Sequence, residues 1–188
     1  MNLIEKLFPG GDASVAALLP FADMEQDCVK LRDGGYLDIL EFTCKDLANA
    51  SQDEIEYDIL TMAKFFKTFG GDCKLVSLNF PTDTLPQQGY ISHKLRQTRN
   101  EVFKKHLEQK LAELCYIEQH RTNREYYLFL FFESLDRRRD GLITVQTTLG
   151  GGGLIGTLSP EKKKDILFKI CNMSTSILSK FGAGGDGA

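Results

Sequence analysis

The hydrophobic pattern is densest at Tyr126–Phe132, where seven apolar or aromatic residues run unbroken between Glu125 and Glu133. The run has strand length, is rich in aromatics and contains no Gly or Pro. An apolar stretch that does not alternate predicts a strand covered on both faces. Residues 125–133 are therefore expected to form the central strand of a sheet, and apart from its tyrosines and flanking charges the strand speaks to fold rather than chemistry.

The other elements follow from local signals. Cys28-Val29-Lys30-Leu31-Arg32, then Asp33-Gly34-Gly35, then Tyr36–Phe42 reads as a β-hairpin, because Gly accepts the positive φ of a tight turn. Val29 and Leu31 are expected to face inward, with Lys30 and Arg32 outward. Ser51-Gln52-Asp53-Glu54 has the form of a capping box, Ile55, Ile59, Met62, Phe66 and Phe69 repeat at helical spacing, and Gly70-Gly71 stops the helix. Cys73–Phe80 alternates with Val76, Leu78 and Phe80 on one side, and strand, helix, strand in this order suggests a crossover onto a parallel neighbour.

From Gln87 to Thr122 the chain is helical, but its apolar residues change phase. Ile91, Leu95 and Val102 share one stripe. Phe103, Leu107, Leu111 and Leu114 form another, rotated by about a third of a turn, which predicts a break or bend near Asn100. Asp136–Gly141 reads as a solvated charged segment. Leu142–Leu149 stays open between strand, favoured by Thr and Val, and helix, favoured by the spacing of Leu142, Val145 and Leu149. Gly150–Gly153 is expected to be loop. Ser159-Pro160-Glu161 starts a last helix, continued by Ile166, Leu167, Ile170, Met173, Ile177 and Leu178.

Together these elements predict an α/β or α+β domain with a mixed sheet of about four to five strands and three or more packed helices. Residues 1–24, with an amphipathic piece at Leu3, Ile4, Leu7 and Phe8, read as an N-terminal arm. Residues 25–181 read as the domain, and 182–188 as a flexible glycine-rich tail.

Composition narrows the function. The 188 residues are 42% hydrophobic and 26% charged, enough for one core. A formal charge of −3 and a pI near 5.7 argue against bulk attraction to nucleic acid or anionic lipid. The five cysteines, Cys28, Cys44, Cys73, Cys115 and Cys171, are odd in number and widely spaced, so they read as small buried residues in a reducing cytosol. Neither a signal peptide nor a membrane-spanning run is expected.

Candidate chemistry is sparse. His93, His106 and His120 are scattered and no metal-ligand motif occurs, so no metal is expected. Cys115 and His120, five residues apart, fall on different helix faces and make a poor nucleophile–base pair. Gly150-Gly151-Gly152-Gly153-Leu154-Ile155-Gly156 lacks the Gly-Lys-Ser/Thr ending of a phosphate loop and reads as a hinge, so no cofactor is expected. The bases of the long helix spread around its axis rather than forming one stripe. The candidate partner or anion contacts are Arg137, Arg138, Arg139, Lys94, Arg99 and Lys105. None of this amounts to an active site.

The order of the pieces, from about Asp27 to Leu178, resembles the N-terminal, non-catalytic part of the conjugative-transfer ATPases of type IV secretion systems. The resemblance is carried by the hairpin with Tyr36–Phe42, by the helix from Tyr57-Asp58-Ile59-Leu60 to Lys64–Phe69, and by Gln87–Ile91. Asn123–Leu128 and Gly156–Glu161 leading to Ile170–Met173 complete it. In that family the motor is a separate domain, and no Walker A sequence occurs in this chain. The resemblance implies a non-catalytic protein-interaction and assembly module of a bacterial conjugation apparatus. Such a module would be cytoplasmic or peripheral at the inner face of the membrane. Its partners would be transfer-apparatus proteins, with homo-oligomerisation left open. The alternatives are a nucleic-acid-binding accessory protein of DNA transfer and a small enzyme whose site is assembled from distant residues.

Overall fold

The computed structural model describes residues 18–173. In chain order the elements are β1 (Phe21–Glu25), β2 (Cys28–Leu31), β3 (Tyr36–Phe42), α1 (Gln52–Thr68), β4 (Cys73–Pro81), α2 (Leu85–Gln97) and α3 (Glu101–His120). They continue with β5 (Thr122–Phe132), α4 (Leu135–Leu149), β6 (Ile155–Gly156) and α5 (Pro160–Cys171). They fall into two compact units, residues 18–78 with 125–173, and residues 79–124.

The protein is an α+β structure with a six-stranded sheet in the order β1-β2-β3-β5-β4, and β6 beside β3. The β1/β2, β2/β3, β3/β5 and β3/β6 pairs are antiparallel. So are β4 and β5: Phe131 N–H donates to the Asp72 carbonyl at one end, and Thr82 N–H to the Arg121 carbonyl at the other. The sheet thus has more strands than the sequence suggests and is antiparallel rather than mixed. The expected crossover onto a parallel neighbour is corrected in the same way. β3 and β4 do run parallel, but β5 lies between them, giving its long apolar run a paired strand on either side. Residues 1–17 of the expected arm and the tail 182–188 lie outside the described residues, as do Ile177 and Leu178. Phe21–Met24, assigned to the arm, belong to β1.

In the first unit β5 is buried on both faces, as its composition predicts. Leu128, Leu130 and Phe132 join Leu40 of β3, Phe65 and Phe69, Val145 and Leu149 of α4, and Leu154 in one core. On the opposite face Tyr127, Phe129, Leu37 and Ile39 are buried as well. The β2–β3 turn forms as expected, with Gly34 at φ +93° and Asp33 Oδ1 accepting from Gly35 N–H.

Helix α1 carries the full capping box between Ser51 and Glu54. The apolar stripe suggested by helical spacing is, however, only partly the buried one. Thr61, Phe65 and Phe69 face the core, and Ile59 and Phe66 remain about 60% and 59% exposed. Choosing between adjacent Phe65 and Phe66 turns the helix by about 100°, and packing against β5 selects Phe65.

Arg137–Arg139 lie in the first half of α4: Asp136, Arg137, Arg139 and Asp140 are exposed, as expected of a solvated charged segment, but the segment is helical and Arg138 is half-buried. Ser134 caps this helix by accepting from Arg137 N–H, and it carries Asp136 in its first turn. That start resolves Leu142–Leu149 as helix, with Val145 and Leu149 buried. The glycine run then closes α4 with a 3-10 turn, Gly153 at φ +66°, and delivers Leu154 into the core. In the second unit the predicted break is present: α2 ends at Gln97, and the Asn100 side chain accepts from Val102 and Phe103 N–H to start α3.

Gly141 allows α4 to approach β5 closely, because a Cβ there would lie 2.4 Å from Phe132 Cε1. We expect Gly141→Ala to destabilise the fold by about 1–3 kcal/mol through overpacking, despite the better helix propensity of Ala. Urea denaturation measures this, and a more stable variant would contradict the close contact.

Candidate functional site

The sheet notch beside β3 holds a buried charge cluster. On that edge β3 pairs with β2 only through Val29 and Lys30, and with β6 only at Glu41 and Phe42. Asp38 falls in the gap, on the sheet face of Leu40, and is 1% exposed. Its Oδ2 accepts from Arg138 Nε and Nη2, both at 2.7 Å, and its Oδ1 accepts from Ile39 N–H at 2.8 Å. Lys163 of α5 enters the same gap, donating to Asp38 Oδ1 at 2.5 Å and to the Asp27 carbonyl at 2.7 Å. Asp27 and the preceding Gln26 hold positive φ values of 63° and 48°, which mark the tight β1–β2 turn. Lys163, Ile166 and Leu167 are buried at i, i+3 and i+4, so one face of α5 carries the charge and then the apolar anchor.

The cluster borders an open groove of about 1140 Å³ that Asp27, Asp136 and Arg139 also line. The three acids Asp27, Asp38 and Asp136 match the three bases Arg138, Arg139 and Lys163 in formal number. Its arrangement locks elements together rather than presenting a net charge to a ligand. Burial raises the pKa of the neighbouring Cys28 thiol, which donates to the Glu25 carbonyl. A second polar group ties α5 to β5: Glu125 accepts from the buried Tyr127 hydroxyl and pairs with Lys162 Nζ at 2.7 Å.

Sequence reasoning missed Asp38 and Lys163. The available signal was a carboxylate in mid-strand between Leu37 and Ile39, a position that burial makes costly without a partner. Of the candidate contacts, Arg138 is committed to Asp38, and the exposed Arg139 pairs with Asp136 at 2.7 Å. Arg137 is exposed. Successive helical residues diverge by about 100°, so the three arginines do not form one patch. Lys94, Arg99 and Lys105 are exposed residues of the second unit, and Lys94 Nζ lies 4.8 Å from the Tyr90 ring centroid.

The histidines and cysteines are equally dispersed. His93, His106 and His120 are exposed, and His120 stacks on Tyr116. Among the described residues no group of three or more His, Cys, Asp or Glu could hold a metal ion. Of the cysteines, all expected to be buried, only Cys28 is fully so; Cys44, in the loop after β3, is exposed. Among the described residues no helix is long and apolar enough to cross a membrane.

The surface feature that stands out is α1. Tyr57, Ile59, Leu60 and Phe66 are all more than half exposed on one helix. At about 100° per residue the four spread over half of the helix circumference, Tyr57 and Phe66 on opposite sides, with the charged side chains of Asp53, Glu56, Lys64 and Lys67 between them.

Residues 21–173 match the family model of the archaeal TraC-like domain. The chain belongs to this conjugation-related family, and the match covers nearly all of the stretch that resembles the N-terminal part of the transfer ATPases. No curated protein matches the sequence.

Removing the Asp38 carboxylate strands two cations in the interior. Asp38→Asn is expected to cost about 3–5 kcal/mol, the range for breaking a buried pair. Lys163→Met is expected to cost less, since Arg138 and Ile39 still satisfy Asp38. Equilibrium urea unfolding of both variants checks the order, and a D38N protein within about 1 kcal/mol of wild type would show the cluster to be unimportant. Tyr127 supplies a pH test. Burial, and then the bond to Glu125, raise its pKa above the ordinary phenol value. Its contribution is therefore present below the unfolded pKa of about 10 and is lost as pH rises beyond it. Tyr127→Phe should flatten the fall in guanidinium midpoint between about pH 9 and about pH 11.

Proposed function

We propose that this protein is a non-catalytic protein-interaction and assembly module of a conjugative-transfer apparatus of the type IV secretion kind. The matching family is described as archaeal, so the proposal drops the bacterial setting that the sequence resemblance carries. The observation that carries it is the exposure of four large apolar side chains on α1, Tyr57, Ile59, Leu60 and Phe66, which lie outside the core of their own unit. Family membership supplies the transfer setting, and the α1 face supplies a means of docking. The module acts on the cytoplasmic side of the membrane through its partners, and ATP hydrolysis belongs to a separate motor.

Affinity purification of the tagged protein from its native cells, followed by mass spectrometry, tests the proposal. Wild type is expected to enrich channel or motor subunits of a transfer apparatus, and Phe66→Glu to lose them while keeping its fold. Recovery of nucleic acid alone, or of the same subunits by both proteins, would defeat the reading.

A further inference from the structure

The exposed face of α1 is patterned about its own centre. Asp53, Glu56, Leu60, Lys64 and Lys67 are spaced three, four, four and three residues apart, which places them in one stripe about 80° wide. Thr61, Phe65 and Phe69 occupy the opposite, buried side of the helix. All five stripe residues are exposed. The acids lie in the N-terminal half and the bases in the C-terminal half. Glu56 and Lys64 are separated by about 12 Å along the axis, and Asp53 and Lys67 by about 21 Å. Neither pair can close within one helix. Glu56 accepts from the neutral Gln52 amide at 3.0 Å. Ile59 and Ala63 on one side of the stripe, and Tyr57 on the other, add apolar surface around Leu60.

This order reads the same from either end with the charges inverted, which is the pattern a two-fold axis requires of a self-complementary surface. We propose that α1 is a homodimer interface, in which two copies pack their α1 helices antiparallel about Leu60. The proposal rests on the reading of this face as an interaction surface and names its occupant as a second copy of the chain. Leu60 meets Leu60 of the partner subunit at the axis. Glu56 faces Lys64 of the partner subunit, and Asp53 faces Lys67 of the partner subunit, each pair occurring twice. The exposed small side chain of Ala63 lets the helix backbones approach. A single helix pair lies at the small end of specific interfaces, so association in the micromolar range is expected, weakening as salt screens the pairs.

Sedimentation velocity of the full chain over about 1–200 µM, the range suited to so small an interface, tests the proposal. Wild type is expected to dimerise and Leu60→Asp to be monomeric. Glu56→Lys and Lys64→Glu should each weaken the dimer about tenfold or more, because each change appears twice across the axis. The double variant E56K/K64E restores opposite charges across the interface and should recover the dimer, a rescue that damage to folding would not produce. A monomer throughout the range, or a dimer indifferent to these changes, overturns the proposal. So does a monomer whose α1 amides become open to hydrogen exchange only when residues 1–17 are removed, since the chain's own N-terminal segment would then be the occupant. Transfer-apparatus subunits recovered by a monomeric wild type would overturn self-association and leave the assembly role standing. A dimer that recovers none of them would support self-association and defeat the assembly role.

Discussion

The first unit depends on the buried carboxylate of Asp38. A lone carboxylate in that position would be strongly disfavoured, and four donors remove the penalty: the Ile39 amide, two nitrogens of Arg138 and the Lys163 ammonium. The charged donors come from two helices far apart in the chain, Arg138 of α4 and Lys163 of α5, so satisfying one charge specifies where α4 and α5 sit on the sheet. Apolar packing could hold these helices against the sheet, yet it would tolerate sliding. A guanidinium that donates through two nitrogens to one oxygen, and a buried amine on the other oxygen, do not, because their geometry is directional. The reach of Lys163 to the Asp27 carbonyl extends the same constraint to the β1–β2 turn.

Around this fixed point the sheet and helices are governed by close approach. β5 is buried on both sides and sits between two strands, so it has no solvent face along which to slip. The glycine at 141 brings α4 down onto Phe132, and the turn at Gly150–Gly153 returns the chain so that Leu154 closes the core. The cluster and the core therefore serve the same purpose: both fix the helices of this unit against its sheet.

The buried charges are mutually satisfied, and the arginines of α4 diverge from one another. The long apolar side chains of α1 are held by the capping box and by Phe65 and Phe69 beneath them, so their exposure follows from a fixed helix rather than a fraying one. The proposed assembly role rests on the conjugation-related family and on these exposed apolar side chains of α1.

The sequence by itself determined what depends on neighbours within a turn or a hairpin. The Asp33-Gly34 turn, the Ser51–Glu54 box, the break at Asn100, the Ser159-Pro160 start and the double-sided burial of β5 are all legible there, because each is a contest between a few adjacent groups. The cap at Ser134 was equally local but was obscured by the charges of Arg137–Arg139. Only the tertiary structure decided the rest. The insertion of β5 between β3 and β4 is a matter of strand order, which no local rule encodes. The choice of Phe65 over Phe66 as the buried ring required the sheet it packs on. Asp38 met Arg138 across 100 positions and Lys163 across 125; the cost of an unpaired buried charge selects those partners, and it exists only once the chain has folded around it.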